Sequence, residues 1–478
     1  MMELVRADAE LGTSGMAGPH PADGSGRRGR LLILAHCFPP SELVGARRPA
    51  ALARFARAAG WDVRVLTGTP ADPAGPGEDL PEELVVRAAP VFRWPGVGGP
   101  APADPTGAGT ATTDPTRFAA ARATARRVAR GVGREVLMVP DSDANWIPSS
   151  VRRFLRTGWR PDVIVASGPP FSGFVVAATL GRKLRVPWVA DYRDLWTVGN
   201  EYWVHGQTAP RRRADHWLER RLLRSAALGV TISEPLARTL RSTFGVETHV
   251  VMNGIDRRPP GSPARATEPA ATRRAAGLDV PESALLLAHT GVLYPGRRDP
   301  GPLLDALALL GDDARNMHLV LAGVDNGVAR DAVARSTVAD LVTTTGQVPA
   351  ERSWRIQAAA DVLVLLMWDD PMDAGTVPGK LFDYLRARRP ILVVGHPDGV
   401  VAELVGSRNA GVVLSSAPEI AEQLRAWSAQ KRRDGGVPAL PESALDGLYR
   451  DDQMAGYLRL LSGVAGRHRV VTRPRTGA

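Results

Sequence analysis

Apolar residues in this chain fall into short unbroken runs rich in Val, Ile and Leu, set between longer stretches where they recur every three or four positions. Such runs predict strands buried on both faces, and the stretches between them predict helices. The first run, 30–36, is broken at Phe38-Pro39-Pro40. A helix is then predicted over 46–59, stopped by Gly60, and a second strand over 62–67. Strand, helix and strand in this order make a βαβ unit. Further strands are predicted at 162–167, 188–190 and 228–232, so 29–256 reads as a doubly wound α/β domain. Residues 1–28 and 69–115 lack periodicity and are rich in Gly, Ala, Pro or Thr, which predicts a disordered tail and a mobile insertion. The pattern lapses again from Arg257, and 257–280 is the expected linker. Beyond it strands are predicted at 285–288, 318–322, 341–343, 361–366 and 391–394, with helices such as 301–310 between them. The segment 281–440 is therefore a second parallel-sheet domain. Two such domains facing one another make a cleft lined by strand C-termini, where open α/β sheets bind ligands.

Composition narrows the chemistry. A chain of 478 residues exceeds one ordinary core, in keeping with two domains. Cys37 is the single cysteine, which excludes a disulfide framework and a Cys-based zinc site and favours a cytoplasmic setting. No apolar run approaches the roughly 20 residues that span a bilayer, and the first residues lack the order of a signal peptide. The formal charge of +10 calls for an anionic partner. Nucleic acid is disfavoured, because the Arg excess is scattered without interleaved aromatics. A helix over 117–134, with Arg122, Arg126 and Arg130 four apart, reads either as a basic face for anionic lipid or as an ordinary solvated helix.

The most specific chemistry lies at 373–394. There a Pro378-Gly379 turn opens a short helix carrying Lys380 and Asp383, and a β-branched strand follows at once. A helix N-terminus beside a Lys is a phosphate-sized anion site, and a carboxylate on the next turn can accept hydrogen bonds from a vicinal diol. A nucleotide sugar satisfies both. No Gly-x-Gly-x-x-Gly follows the first strand, which disfavours a Rossmann oxidoreductase. Asp141-Ser-Asp143 imitates a metal motif, but it sits in a Pro-flanked loop with no strand leading in, and no metal or cofactor is expected.

Several segments together resemble the retaining glycosyltransferases of the GT-B fold, specifically glycosyltransferase family 4. They are 31–48 with its Pro-Pro and Gly-containing loop, Pro187-Trp-Val-Ala-Asp191-Tyr-Arg193-Asp194-Leu-Trp196, Val230-Thr-Ile-Ser233 with Asn253-Gly254, Thr290-Gly291 to Arg298, and Gly375 to Pro390. The Asp191 segment is similar to the exopolysaccharide and O-antigen branch. The resemblance runs from Leu31 to about Gly466. It implies two Rossmann-like domains, an acceptor side first and a donor side second, and a terminal helix over 441–466 that returns to the first domain before a basic tail at 467–478.

The same resemblance assigns Gly45, Gly291, Arg297, Arg298, Val377, Pro378, Gly379, Lys380, Leu381 and Asp383 to the donor. It brings Asp191, Arg193 and Asp194 to the cleft as catalytic-side groups, although these three read equally well as an ion network at a strand end. The family's pair of carboxylates is incomplete, because Asp383 has Gly375 as its partner position. Asp373 or a backbone amide near Thr376 is the expected substitute. The implied activity is transfer of a sugar from a nucleoside diphosphate, expected to be UDP, to a polyprenyl-linked saccharide or other cell-envelope glycan precursor at the cytoplasmic membrane face. A nucleotide-sugar 2-epimerase and a non-catalytic GT-B partner subunit are the competing readings.

Overall fold

The computed structural model describes residues 29–41, 43–69, 80–91, 139–199, 207–257, 269–324 and 327–472. In the first domain β1 (Arg30–Ala35), α1 (Val44–Ala58) and β2 (Asp62–Gly68) form the opening βαβ unit. They are followed by β3 (Val85–Ala88), α2 (Ile147–Leu155), β4 (Val163–Gly168), α3 (Ser172–Leu184), β5 (Trp188–Tyr192), α4 (Ala209–Leu223), β6 (Leu228–Thr231), α5 (Glu234–Phe244) and β7 (Thr248–Val250). All seven strands are parallel, in the order β3-β2-β1-β4-β5-β6-β7. Leu31, Leu32, Ile33 and Leu34 of β1 are fully buried, facing alternately the two helical layers. This two-sided burial is why the strand reads as one apolar run.

The second domain begins with α6 (Pro269–Ala275) and continues through β8 (Leu285–Thr290), α7 (Gly301–Leu310), β9 (Met317–Ala322), α8 (Val328–Arg335), β10 (Val342–Gly346) and α9 (Ala350–Ala359). Then come β11 (Val362–Leu366), α10 (Gly379–Ala387), β12 (Ile391–Val394), α11 (Val400–Ser407), β13 (Gly411–Leu414), α12 (Ala417–Asp434) and α13 (Arg450–Thr472). Its six strands are also parallel, ordered β10-β9-β8-β11-β12-β13. In each sheet the order reverses beside the first strand, at β1/β4 and at β8/β11. The loops leaving those strands diverge there, and that opens a crevice.

Two expectations need correction. The 69–115 stretch is not wholly insertion: β3 pairs with β2 through Val65 opposite Val85, while most of the remainder lies outside the described residues. An edge strand has one neighbour and a short apolar pattern, so dense Pro and Gly around it hide it. The second half of the 257–280 linker belongs to the second domain. Arg273 of α6 is buried, donating to the Ala284 carbonyl at 3.0 Å and to Asp361 Oδ2 at 2.9 Å, the same oxygen that Lys431 Nζ reaches at 2.6 Å. The 117–134 helix, the 1–28 tail and 473–478 lie outside the described residues, whereas 467–472, expected as tail, continue α13.

The chain crosses between domains twice, and the crossings are stitched together. Ile255 N donates to Leu448 O at 2.7 Å and Arg450 N to Ile255 O at 2.9 Å. Gly254, at φ +74°, lets the strands touch, because a Cβ there would lie 2.7 Å from Arg450 Cα. From this crossing α13 lays Met454, Tyr457, Leu458 and Leu461 into the core of the first domain, beside Leu31, Ala53 and Val63.

Candidate active site

On the second domain the site grows out of the C-terminal ends of β8 and β11. His289, the penultimate residue of β8, is fully buried, with Nδ1 2.9 Å from Val364 O of β11. A carbonyl only accepts, so Nδ1 carries the proton and Nε2 is left as an acceptor. Lys380 Nζ stands 3.3 Å from that Nε2. Burial, and after it the Lys380 charge, holds the imidazole well below its ordinary pKa, so it remains neutral. Burial and the Arg298 charge push the Lys380 ammonium down to about 7. Gly291 lies against this ammonium at φ +136°, and a Cβ there would sit 2.6 Å from Nζ. A side chain at 291 would displace the lysine.

Lys380 occupies the second position of α10, which has Pro378 as its N-cap residue and no side-chain cap. The first amides of this helix therefore add partial positive charge to the lysine's own. The Arg297 guanidinium stacks over the Trp368 ring at 4.4 Å, and Arg298 lies 5.1 Å from the Tyr294 ring. Asp373 is half-buried; burial raises its carboxyl, against the lowering effect of bonds from Thr376 and the Trp368 backbone and of the Arg298 and Arg297 charges. The second domain thus brings Arg297 and Arg298 to Asp373, and Arg298 also to Lys380 at the α10 N-terminus. Beside them opens a cavity of about 320 Å³, bordered by His289 and Gly291 and lined by Gly323, Thr344 and Gly346 at the ends of β9 and β10 and by Arg330 of α8.

Asp383 lies one turn along α10 and half-buried, 3.9 Å from Arg386. Burial raises its carboxyl, partly offset by Arg386 and by Arg47 of α1 and Arg450 of α13, so it faces the first domain and the crossing. Val377 and Leu381, expected among the donor contacts, instead place their side chains in the core of the second domain. Leu381 is one of the apolar positions that make α10 a helix and so points inward, and Val377, just before the helix, is buried with it.

On the first domain Arg193, immediately after β5, fills the crevice between β1 and β4. Its backbone N donates to Gly168 O at 3.0 Å, Nε to the same carbonyl at 3.3 Å, Nη1 to Gly45 O and Nη2 to Pro169 O. The guanidinium braces both loops of the switch point. A Cβ at Gly45 would run into Arg193 Nη1, so a side chain there would have to push the guanidinium aside. Asp194 has an exposed side chain, and the surrounding protein nonetheless raises its carboxyl by desolvation, against the lowering charge of Arg193. Asp191 takes no place on the cleft surface. It is 1% exposed, and Arg48 grips both its oxygens, with Nε 3.0 Å from each and Nη2 2.8 Å from Oδ1. Arg48 also donates to Val251 O at 2.9 Å, so the pair ties β5, α1 and the segment after β7 together.

Sequence reasoning missed His289 and a second histidine. His36, just past β1, has Nε2 3.6 Å from Asp143 Oδ1 and its ring edge-on to Trp146 at 5.3 Å. Cys37 lies beside it with its thiol raised by burial. Asp141 is buried and accepts from Ser172 N at 2.7 Å and Asp143 N at 3.0 Å, holding the start of α3.

Residues 45–254 match the family model of the glycosyl transferase 4-like domain. Among solved structures, sucrose-phosphate synthase from Thermosynechococcus elongatus is similar at TM-score 0.58 and 17% identity, over 91% of this chain and 100% of that one. A glycosyltransferase from Rickettsia africae ESF-5 is similar at TM-score 0.55 and 10% identity, over 91% and 98% of the two chains. WaaG, a glycosyltransferase involved in lipopolysaccharide biosynthesis, is similar at TM-score 0.50 and 16% identity, over 93% and 100%. The two parallel-sheet domains are those of the GT-B fold. No curated protein sequence matches the chain.

Proposed function

We propose that this chain is a retaining glycosyltransferase that moves a sugar from a nucleoside diphosphate, expected to be UDP, to a hydroxyl of a cell-envelope glycan precursor at the cytoplasmic membrane face. The observation that carries the donor half is the meeting of Lys380, Arg297, Arg298 and the α10 N-terminus beside a cavity large enough for a nucleoside. As the glycosyl bond breaks, negative charge develops on the leaving diphosphate, and fixed cations with helix amides stabilise it without reorganising. In this reading Lys380 is held on line by His289, and Asp383 accepts from the ribose hydroxyls. The first-domain wall at Arg193 and Asp194 receives the acceptor. Retention and the absence of a protein nucleophile come from the family resemblance. The acceptor oxygen bonds to the anomeric carbon on the face the diphosphate leaves, and its proton passes to the departing phosphate oxygen. The cations take the role a metal would have, so transfer is expected to persist in EDTA.

Titration calorimetry with UDP tests the donor half. Lys380→Ala is expected to weaken binding by roughly 1.5 to 3 kcal/mol, the loss for a charged hydrogen bond. Unchanged affinity removes Lys380 from the site, and no UDP binding by the unmodified protein sinks the donor assignment.

A further inference from the structure

The excess positive charge is not spread evenly. Residues 29–257 contain 31 Lys and Arg against 21 Asp and Glu, whereas 269–440 contain 18 against 20. Within the first domain it concentrates on one helical layer. Helices α2, α3, α4 and α5 lie side by side on the sheet face opposite α1 and α13, with α4 and α5 joined by an Arg220 bond to Thr243 O at 3.2 Å. Together they expose ten Lys and Arg and a single acid, Glu234, which is paired with Arg241. Their other two acids, Asp215 and Glu219, are buried inside the layer.

Helix dipoles account for part of this. Cations are favoured in a last helical turn, and several of these arginines stand there. The same dipole favours acids in the first turn, and α2, α3 and α4 have none. In the second domain α8, α9, α11 and α12 follow the rule, with Asp331, Glu351, Glu403 and Glu419, while α6, α7 and α10 also lack a first-turn acid. Moreover α4 carries exposed Arg212 and Arg213 near its N-terminus, where positive charge is disfavoured. Between those arginines and Arg220 and Arg221, Trp217 is 62% exposed, with the Arg221 guanidinium 5.7 Å from its ring. Leu155, at the end of α2, is a second exposed apolar side chain on the layer. Helix dipoles do not account for Arg212 and Arg213 at the start of α4 or for the exposed Trp217 beside them.

We propose that the α2–α5 face docks on an anionic lipid surface, with Trp217 at headgroup depth and the surrounding arginines on lipid phosphates. Trp is favoured at membrane interfaces, and each Lys or Arg near an anionic surface adds to the attraction. Charge spread over four neighbouring helices suits an extended surface. Single-stranded nucleic acid held by stacking would need successive aromatics, and these helices expose one. No described helix is long and apolar enough to cross a membrane, so contact of this kind is superficial. Because α4 starts from the cleft side of the sheet, docking along it brings the cleft mouth to the membrane edge. The last point rests on the glycosyltransferase reading; the surface itself does not.

The full chain is sedimented with phosphatidylcholine vesicles, with and without phosphatidylglycerol, at low and high salt. The expected result is binding only to the anionic vesicles, lost at high salt. Arg213→Glu with Arg221→Glu and Arg224→Glu should lower the partition coefficient by at least about tenfold, and Trp217→Ala should lower it with the charges intact. Failure of the unmodified protein to bind anionic vesicles overturns the proposal, as does equal binding by the triple variant. Retention on single-stranded DNA without vesicle binding also overturns it, in favour of a nucleic acid. UDP calorimetry on the same variants separates the two readings, because the donor site lies on the other domain: vesicle binding without UDP binding leaves the surface standing and removes the transferase.

Discussion

If Lys380 binds the donor diphosphate as proposed, its protonation should report that binding. Its ammonium is held down to about 7 by burial and by Arg298. A bound diphosphate reverses that balance, since an anion at hydrogen-bonding distance favours the charged form. The lysine is therefore half-neutral near pH 7, and if it becomes charged against a bound diphosphate, UDP binding should take up a proton above that pH. Affinity should be flat below pH 7 and fall by about tenfold per pH unit above it, until the pKa of the complex is reached. Calorimetry in buffers of different ionisation enthalpy measures the proton directly. In Lys380→Arg, whose guanidinium stays charged, the uptake should vanish. Uptake that persists in that variant assigns the proton to another group. Little of this was legible in the sequence. Lys380 stands out beside Pro378-Gly379, but the histidine that orients it lies 91 residues away, and only the β8/β11 switch point brings them together. Asp191 and Arg48 show the converse, because a cleft-end carboxylate looks catalytic until a partner 143 residues distant is seen to grip both its oxygens.

Elements buried on both faces were readable for a simple reason: central parallel strands must be apolar throughout, as β1, β4, β8 and β11 are. Three strands at or near sheet edges, β3, β7 and β13, were not, since half-exposed positions such as those of Gly411–Leu414 leave little hydrophobic signal. The helical layer beneath the basic face hides another property. Glu219 of α4 is fully buried, accepting from Tyr192 OH at 2.8 Å and from Thr197 N at 3.1 Å, with a further bond from the Thr197 hydroxyl, whose oxygen lies 3.0 Å from His216 Nδ1. Burial raises its carboxyl from 4.5 to about 7 against those bonds. Between these values the folded state holds a proton that the unfolded state releases. The stabilisation is full below pH 4.5 and is lost as pH rises through 7, amounting to roughly 3 kcal/mol. Asp141, also raised to about 7, acts in the same direction. Thermal melts of Glu219→Gln between pH 4.5 and 7 should show a shallower fall in Tm than the unmodified protein. An identical slope would mean that Glu219 is ionised in the folded state throughout.

At the scale of the whole molecule, the two domains touch where a carboxylate of the resembled motif is missing. Ser233 Oγ, at the start of α5, donates to Gly375 O at 2.8 Å, and a Cβ on Gly375 would meet Leu236 Cδ2 at 2.7 Å and Pro235 Cβ at 3.5 Å. With glycine at 375 the first domain packs directly on the loop before α10, and Leu236 fills the space a side chain would take. Restoring a carboxylate by Gly375→Glu therefore cannot simply add a sugar contact, because the space is filled by Leu236. The expected result is a more open molecule, with a larger radius of gyration in small-angle scattering and turnover reduced by at least about tenfold, the effect of misplacing a reacting partner. UDP affinity should change little, since the proposed diphosphate contacts Lys380, Arg297 and Arg298 belong to the second domain. Leu236→Ala in the same chain removes the obstruction and should return the radius toward that of the unmodified protein. If Gly375→Glu alone keeps the original radius and turnover, the contact at Leu236 does not set closure, and the absence of a carboxylate at this position needs another cause.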